Sequence, residues 1–239
     1  MKHVESPIFN LGPLVQELRA GDYRMTYHAP AIAGSRIVIG VAERSRSLET
    51  RKEFVENAAN DLAAWNPAEI QQIKAFRQKN QVARAEEWLL SRLIAKNGEA
   101  IFAAKSGLNA PLRISTTHSR SLVALAFTDK VAGIDHEIIK ERPSSWKRKV
   151  DPEHDAEKLQ AFLKLWQDIS MPAAETLTWS IKEATLKANA AKLLGMLSKV
   201  SISCSNNRII SAMQGKQETF QDYSIIDEGT VLAVALKIE

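Results

Sequence analysis

The middle of the chain reads Ser121-Leu-Val-Ala-Leu-Ala-Phe-Thr-Asp-Lys-Val-Ala-Gly-Ile-Asp-His-Glu-Ile138. Its two apolar runs, Ser121–Phe127 and Val131–Ile138, have the length and composition of buried β-strands. Between them, Thr128-Asp-Lys has the polar composition of a turn. We therefore predict two strands that pair across this turn.

Each half of the sequence is predicted to have the same order of elements: a strand, then helices, then further strands. The first ~35 residues contain few periodic runs and are predicted to be irregular. Proline is tolerated in the first turn of a helix, and glycine often ends one. Before the segment we predict a strand at Ser35–Ala42, a helix that begins at Pro67, a helix over Ala83–Lys96 that Gly98 ends, and short strands near Ala100–Ala104 and Leu112–Ser115.

After the segment, apolar residues at helical spacing predict a helix over Asp155–Gln167, and a second helix is predicted from Pro172 to about Ala191. Strands and helices are segregated along the chain, which favours an α+β fold over a doubly wound sheet. We therefore predict a pseudo-dimer of two similar α+β halves in one chain, residues 1–115 and 116–239. The closing strands are predicted near Lys199–Ser203, Arg208–Ala212 and Thr230–Lys237.

The composition of the 239 residues excludes several classes of protein. The single cysteine, Cys204, excludes an internal disulfide framework and a metal site made of several thiolates. The apolar runs are too short to span a bilayer and no secretory signal opens the sequence, so we expect a cytoplasmic protein without membrane association. The net charge of +4 suits a phosphorylated ligand, an acidic protein or a nucleic acid. No arginine-rich tract or aromatic interleaving supports nucleic-acid binding, so none is expected.

Two short polar segments near the midpoint have the composition of binding sites. Ile114-Ser-Thr-Thr-His-Ser119 clusters hydroxyls and an imidazole at a strand end, where they either bind phosphate oxygens or form internal hydrogen bonds. In Gly133-Ile-Asp-His-Glu137, alternation along a strand places Asp135 and Glu137 on one face and His136 on the other. Neighbouring carboxylates repel each other unless a cation such as Mg²⁺ lies between them. The alternative is an exposed strand face with two solvated acids.

A third segment, Leu177-Thr-Trp-Ser-Ile-Lys-Glu-Ala-Thr-Leu-Lys187, has the spacing of an amphipathic helix. Trp179, Glu183 and Lys187 recur every four residues and therefore share one face of that helix. Glu183 and Lys187 form either an ordinary i, i+4 ion pair or a third metal-binding carboxylate beside a phosphate-binding lysine.

Taken in order, the three segments resemble the signature motifs of the 4′-phosphopantetheinyl transferases. The family pattern runs Ser-hydroxyl-His-Ser, then Gly-Ile-Asp-x-Glu, then Trp-x-x-Lys-Glu-Ala with a lysine four residues after the glutamate. The matching residues are Thr117-His118-Ser119, Gly133–Glu137 and Trp179–Lys187. The spacing and the chain length are similar to those of the larger, surfactin-synthetase-associated type, a single chain of two related α+β halves. The resemblance covers residues 110–190, is faint over 75–110 and is absent before that.

The resemblance implies a Mg²⁺-dependent enzyme that transfers the phosphopantetheine arm of coenzyme A to a serine of an apo acyl or peptidyl carrier protein. It implies that Asp135, Glu137 and Glu183 hold Mg²⁺, that Glu183 is the general base, and that Lys187 assists the departing 3′,5′-ADP. The active site is expected in a cleft between the halves, and the protein is expected to be a monomer because one chain supplies both halves. The coenzyme A contacts implied in this way are Arg84, Lys105, Thr117, His118 and Lys187.

Three positions depart from the family pattern. Thr117 replaces the usual serine but keeps its hydroxyl, and His136 replaces an apolar residue and is interpreted as structural. Lys105 stands in for a phosphate-binding turn that is not clearly matched. Lys182 also matches a family lysine, although on a helix it points about 100° away from Glu183.

Two other functions remain open at this point. One is a catalytically inactive module of the same fold that binds carrier proteins or coenzyme A. The other is a different Mg²⁺-dependent enzyme acting on a nucleotide diphosphate, and the lack of a glycine-rich phosphate loop counts against it. The basic run Lys140–Lys149 is either a solvated loop or a docking surface for an acidic carrier protein.

Overall fold

The computed structural model describes residues 8, 11–32, 35–61, 64–107, 111–190, 196–227 and 229–238. Within these residues the chain forms two five-stranded antiparallel sheets and six α-helices. The first elements are β1 (Leu14–Ala20), β2 (Tyr23–His28), β3 (Ile37–Glu43), α1 (Leu48–Asn60), α2 (Pro67–Gln78), α3 (Val82–Ser106), β4 (Arg113–His118) and β5 (Leu122–Thr128). The remaining elements are β6 (Ala132–Ile138), α4 (Ser144–Val150), α5 (Asp155–Leu163), α6 (Met171–Ala188), β7 (Val200–Ser205), β8 (Arg208–Met213), β9 (Thr219–Asp227) and β10 (Thr230–Lys237).

The two sheets share a connection pattern. Their strand orders are β1-β2-β3-β5-β4 and β6-β10-β9-β8-β7. In the first sheet, β3 precedes the helices α1–α3 and pairs with β5, the last strand of that half. In the second sheet, β6 precedes the helices α4–α6 and pairs with β10, the last strand of the chain. This arrangement confirms the predicted α+β fold of two similar halves.

Helices cover the outer faces of the sheets, and the inner faces pack against each other. α3 lies against β3 and β5, and α6 lies against β6 and β10. The layer between the sheets contains apolar side chains from both, among them Ile39, Ala124, Ile134 and Val234. Removal of both faces from water is the main stabilising contribution to such a layered fold.

The region around Gly98 is helical, which corrects the predicted helix end and the predicted strand at Ala100–Ala104. α3 continues to Ser106 because this glycine permits close packing: a Cβ here would lie 2.1 Å from Cζ of Phe127 on β5. Phe102, one turn later, is buried in the same core. Packing of the apolar helix face therefore outweighs the modest cost of one glycine in a helix.

The two strands at the midpoint exist, but β5 and β6 do not pair with each other as predicted. β5 pairs with β3 and β4, whereas β6 pairs with β10. The residues after Thr128 carry the chain from the first sheet to the second, so β6, which begins at Ala132, belongs to the second sheet. The predicted boundary between residues 115 and 116 falls inside β4. Apolar runs identify strands, but packing on both faces selects their partners.

Several further elements differ from the sequence analysis. β1 and β2 occupy a region predicted to be irregular, and α1, α4 and β9 were not predicted. α5 ends at Leu163 instead of Gln167, and the predicted end of the next helix near Ala191 lies outside the described residues. No helix in the described part of the chain is long and apolar enough to cross a membrane.

Candidate active site

Two carboxylates project from β6 towards α6, as the strand alternation predicts. Asp135 is only 2% exposed, whereas Glu137 is partly exposed. His136 points to the other side, where its Nδ1 lies 3.0 Å from the Ser119 hydroxyl. Burial lowers the pKa of His136 to about 4, with the nearby charge of Asp135 opposing that shift. The imidazole is therefore neutral near pH 7 and has a structural place in the fold.

Gly133 sets the distance between β6 and α6. A Cβ at this position would lie 1.8 Å from the carbonyl oxygen of Ala184 and 2.9 Å from the backbone nitrogen of Ala188. No other residue type leaves room for the helix backbone to lie this close to the strand. The contact brings Glu183 and Lys187 alongside Asp135.

The ammonium group of Lys187 lies between two carboxylates. It donates a hydrogen bond to Asp135 Oδ1 at 2.7 Å and another to the Ile134 carbonyl at 3.1 Å. It also lies 3.8 Å from Glu183 Oε2. The predicted neighbourhood of Asp135, Glu183 and Lys187 is therefore present in the fold.

The pKa of Glu183 is raised to about 7. Burial is the largest cause, and the negative charge of Asp135 is the next. The charge of Lys187 opposes the rise, while the hydrogen bond that protonated Glu183 gives to Asp135 adds to it. A carboxyl group with this pKa can accept a proton from a substrate near neutral pH.

Arg142 is a second cation beside the carboxylates, and the sequence analysis treats it only as part of a basic run. Its side chain is 7% exposed, and its guanidinium lies 4.9 Å from the centre of the Trp179 ring. It approaches Glu137 to 3.9 Å. Burial lowers the pKa of Arg142, and four surrounding carboxylates, which belong to Glu137, Glu175, Glu183 and Asp135, oppose that shift.

The charges of this cluster fit a divalent cation. Four carboxylates face three cations, Arg142, Lys187 and Lys140, which leaves a formal charge of −1 when Glu183 is ionised. Asp135 Oδ2 is buried and lacks a hydrogen-bond partner in the described residues while Glu183 is ionised. Across the described part of the chain, however, no three His, Cys, Asp or Glu side chains lie close enough to hold a metal by themselves. Mg²⁺ commonly uses one or two carboxylates and completes its shell with phosphate and water, so the residues fit a metal bound together with a phosphorylated ligand.

Thr117 orients Asp135 instead of facing a ligand. Its hydroxyl donates to Asp135 Oδ1 at 3.2 Å and accepts from the backbone N–H of His136 at 3.0 Å. Ser115 accepts from the backbone N–H of Ile134 in the same way, at 3.0 Å. These hydroxyls of β4 satisfy donors along the edge of β6, because buried N–H groups need partners. The Thr117 side chain is buried and its hydroxyl is already engaged, so its place in the structure is beside Asp135, and its implied contact with coenzyme A stays a prediction.

His118 and Arg84 lie near the amino-terminal end of α3. His118 is half exposed, and its Nε2 lies 3.1 Å from Glu87 Oε1. Arg84 is exposed one turn before Glu87 on the same helix. A depression of about 400 Å³ lies beyond β4. It is lined by Ser119, Arg120, Glu137, Ile138 and Lys140. An anion in this depression would meet Arg120 and Lys140 beside the carboxylate cluster.

Lys105 does not belong to this region. It is exposed in the last turn of α3, whereas Arg84 is in the first turn. At 1.5 Å per residue the two positions are separated by roughly 30 Å along the helix axis. The continuous helix therefore separates Lys105 from Arg84, so these two implied coenzyme A contacts do not lie together. Arg92 lies over the Trp88 ring at 5.4 Å and has no described contact with the cluster.

Lys182 has a structural place, on a different face of α6 from Glu183. It is fully buried, donates to the Val150 carbonyl at 2.8 Å and lies 2.9 Å from Asp155 Oδ2. Asp151, 3.7 Å away, accepts hydrogen bonds from two backbone N–H groups at the start of α5. The lysine therefore ties the α4–α5 connection to α6.

A buried glutamate in the first half supports the loop that follows β4. Glu86 accepts hydrogen bonds from the Tyr23 hydroxyl at 2.7 Å and from the Ser45 N–H at 3.0 Å, and it pairs with Arg44 at 3.1 Å. Arg44 also donates to the Ser119 carbonyl at 2.8 Å. This network could not be predicted from the sequence, because its members lie far apart in the chain and match no motif.

Comparison with known proteins adds no family assignment. No protein-family model matches the chain, and no curated protein matches it at a significant level. The site itself combines a carboxyl group whose pKa is about 7, an adjacent ammonium, three further acids and a neighbouring basic depression.

Proposed function

We propose that this protein transfers the 4′-phosphopantetheine group of coenzyme A to a serine of an apo acyl or peptidyl carrier protein and releases 3′,5′-ADP. One observation carries the proposal: Asp135 and Glu183 meet around Lys187 at the contact of β6 with α6. These residues come from the two motifs that resemble the transferase family most closely. A chance match of two distant motifs would not require their charged groups to meet.

In the proposed reaction, Glu183 accepts the proton of the carrier serine as its oxygen attacks the β-phosphorus of coenzyme A. The bond from that phosphorus to the oxygen bridging it to 3′,5′-ADP breaks, and Lys187 donates a hydrogen bond or a proton to the departing phosphate. Asp135 and Glu183 would hold Mg²⁺ together with the phosphates of the substrate, with Glu137 beside them, and the bound metal would neutralise charge on the pyrophosphate. Thr117 keeps Asp135 in place through its hydroxyl.

Substrate binding is proposed at the depression beside the cluster. Arg120 and Lys140 contribute positive charge there, and His118 and Arg84 lie towards the end of α3. This arrangement would place the pyrophosphate near Glu137 and the remaining phosphate towards α3. A basic site of this kind raises the local concentration of a polyanionic substrate. We also propose that the protein acts in the cytoplasm as a monomer, where coenzyme A and carrier proteins meet.

Release of 3′,5′-ADP tests the proposal. The full chain is incubated with coenzyme A, Mg²⁺ and an apo carrier protein, and nucleotide products are separated by chromatography. Asp135→Asn and Lys187→Met are expected to lower the rate by at least ~100-fold, the usual loss on removing an electrostatic group from an active site. Lys105→Met serves as a matched control and is expected to retain the parent rate. Coenzyme A binding without product release from any carrier would instead support an inactive binding module.

A further inference from the structure

A separate cavity lies in the first half, between the turn that joins β1 to β2 and helix α1. Its volume is about 300 Å³, and its walls come from the turn, from α1, from the segment before α2 and from Leu93 on α3. None of its lining residues belongs to the carboxylate cluster of β6 and α6. The volume lies at the lower limit of typical small-molecule sites.

The cavity has aromatic walls. Tyr23 and Phe54 pack together with ring centres 4.3 Å apart, and Trp65 forms another part of the lining. Aromatic faces carry negative potential and attract cations within about 6 Å. The same indole already has one cation against it, because the ammonium of Lys96 lies 4.2 Å from the centre of the Trp65 ring.

Three carboxylates surround these aromatic walls. Asp22 belongs to the turn after β1, Glu53 to α1, and Asp61 follows the end of α1. All three are exposed, and none is within 4.0 Å of a cationic side chain among the described residues. The cavity therefore combines an apolar interior with unpaired negative charge on three sides, while Lys96 is not part of its lining.

We propose that this cavity binds a small organic cation, an amine or quaternary ammonium compound with an aromatic or aliphatic body. The body enters between Phe54 and Trp65, and the positive group lies at the surface near Glu53 and Asp61. A neutral ligand of the same shape gains only the apolar contact. An anionic one is repelled by the three carboxylates.

Three probes of equal length test this proposal: 4-phenylbutylamine, 4-phenylbutanol and 4-phenylbutanoate. Their binding to the full chain is measured by saturation-transfer NMR and titration at low ionic strength. The amine is expected to bind at least about fivefold more tightly than the alcohol, and the carboxylate is expected to bind least. Equal affinity for the amine and the alcohol, or no binding of the amine, overturns the proposal.

Two variants locate the binding. Glu53→Gln is expected to weaken amine binding about threefold to fivefold and to leave alcohol binding unchanged. Glu56→Gln, on the same helix but outside the lining, is the matched control and is expected to bind the amine like the parent. Ala58→Phe fills the cavity and is expected to abolish binding of both probes, with melting temperature measured to confirm folding. If Glu56→Gln weakens binding as much as Glu53→Gln, or if Ala58→Phe folds and still binds the amine, the cavity is not the site.

Discussion

Replacement of Gly133 by alanine perturbs the contact that sets the position of α6 on β6. The added Cβ would lie 1.8 Å from the carbonyl oxygen of Ala184, which belongs to the helix backbone and cannot move away by a change of rotamer. The helix and the strand must separate by at least about 1.2 Å to bring this distance to 3.0 Å, below which Cβ contacts essentially never occur. The same movement draws Glu183 and Lys187 away from Asp135.

The expected cost follows from this geometry. Overpacking of a closely packed core costs about 1–3 kcal/mol, and a backbone contact below 3 Å belongs in the upper part of that range. In a chain of this size, 2–3 kcal/mol lowers the melting temperature by roughly 4–12 °C. A displacement of about 1 Å between catalytic groups is expected to reduce transfer activity by about 100-fold.

Calorimetry of Gly133→Ala measures the expected fall in melting temperature, and Gly229→Ala is the matched control. At Gly229 an added Cβ meets nothing within 4 Å, and the backbone is not in the positive-φ region. The control is expected to change stability by no more than about 0.5 kcal/mol. If both variants have the same melting temperature as the parent protein, α6 does not lie as close to β6 as the structure indicates.

Three further predictions concern charged side chains. The pKa of Glu183 is about 7 in the fold against an ordinary value of 4.5, so the stabilising effect of its proton is complete below pH 4.5 and is lost as the pH rises through 7. Glu183→Gln in EDTA is therefore expected to gain stability relative to the parent over this range, by up to roughly 3 kcal/mol, and a constant difference in melting temperature would refute the raised pKa. Lys182→Met leaves buried carboxylates without their cation and is expected to cost about 3–5 kcal/mol in urea titration. Lys158→Met, which removes an exposed partner of the same cluster, is expected to cost at most about 1 kcal/mol, and equal losses would contradict the buried ion pair. Reversal of Arg148 and Lys149, both exposed on α4, to Glu is expected to weaken carrier binding while coenzyme A affinity, measured by calorimetry, stays unchanged; loss of both affinities would exclude a docking role.

Local periodicity predicted the parts of the site that lie within single elements. The two-residue repeat of β6 placed Asp135 and Glu137 together, and the four-residue repeat of α6 placed Glu183 beside Lys187. These relations follow from backbone geometry alone. They hold whatever the strand pairs with, so the wrong pairing of β5 with β6 did not affect them.

Relations between distant elements could not be predicted in this way. Arg142 follows β6 in an irregular segment, and its contacts with Glu137 on β6 and with Trp179 on α6 show that it belongs to the cluster. Lys105 was assigned to coenzyme A by the resemblance, as a stand-in for a phosphate-binding turn. The Phe127 contact that keeps α3 intact through Gly98 as far as Ser106 is a tertiary feature, so the sequence did not show that Lys105 lies on a continuous helix. Thr117 was assigned to coenzyme A by the resemblance, and the unpaired edge of β6 that its hydroxyl serves cannot be predicted from the sequence.

The most direct test of the proposed function is the intact mass of an apo acyl carrier protein after incubation with this protein, coenzyme A and Mg²⁺. Glu183→Gln and an EDTA-treated sample are measured in parallel. The proposed function predicts that the carrier gains the mass of one phosphopantetheine group and that both controls abolish the gain. An unchanged mass across acyl and peptidyl carriers, or a gain that persists with Glu183→Gln and in EDTA, would contradict it.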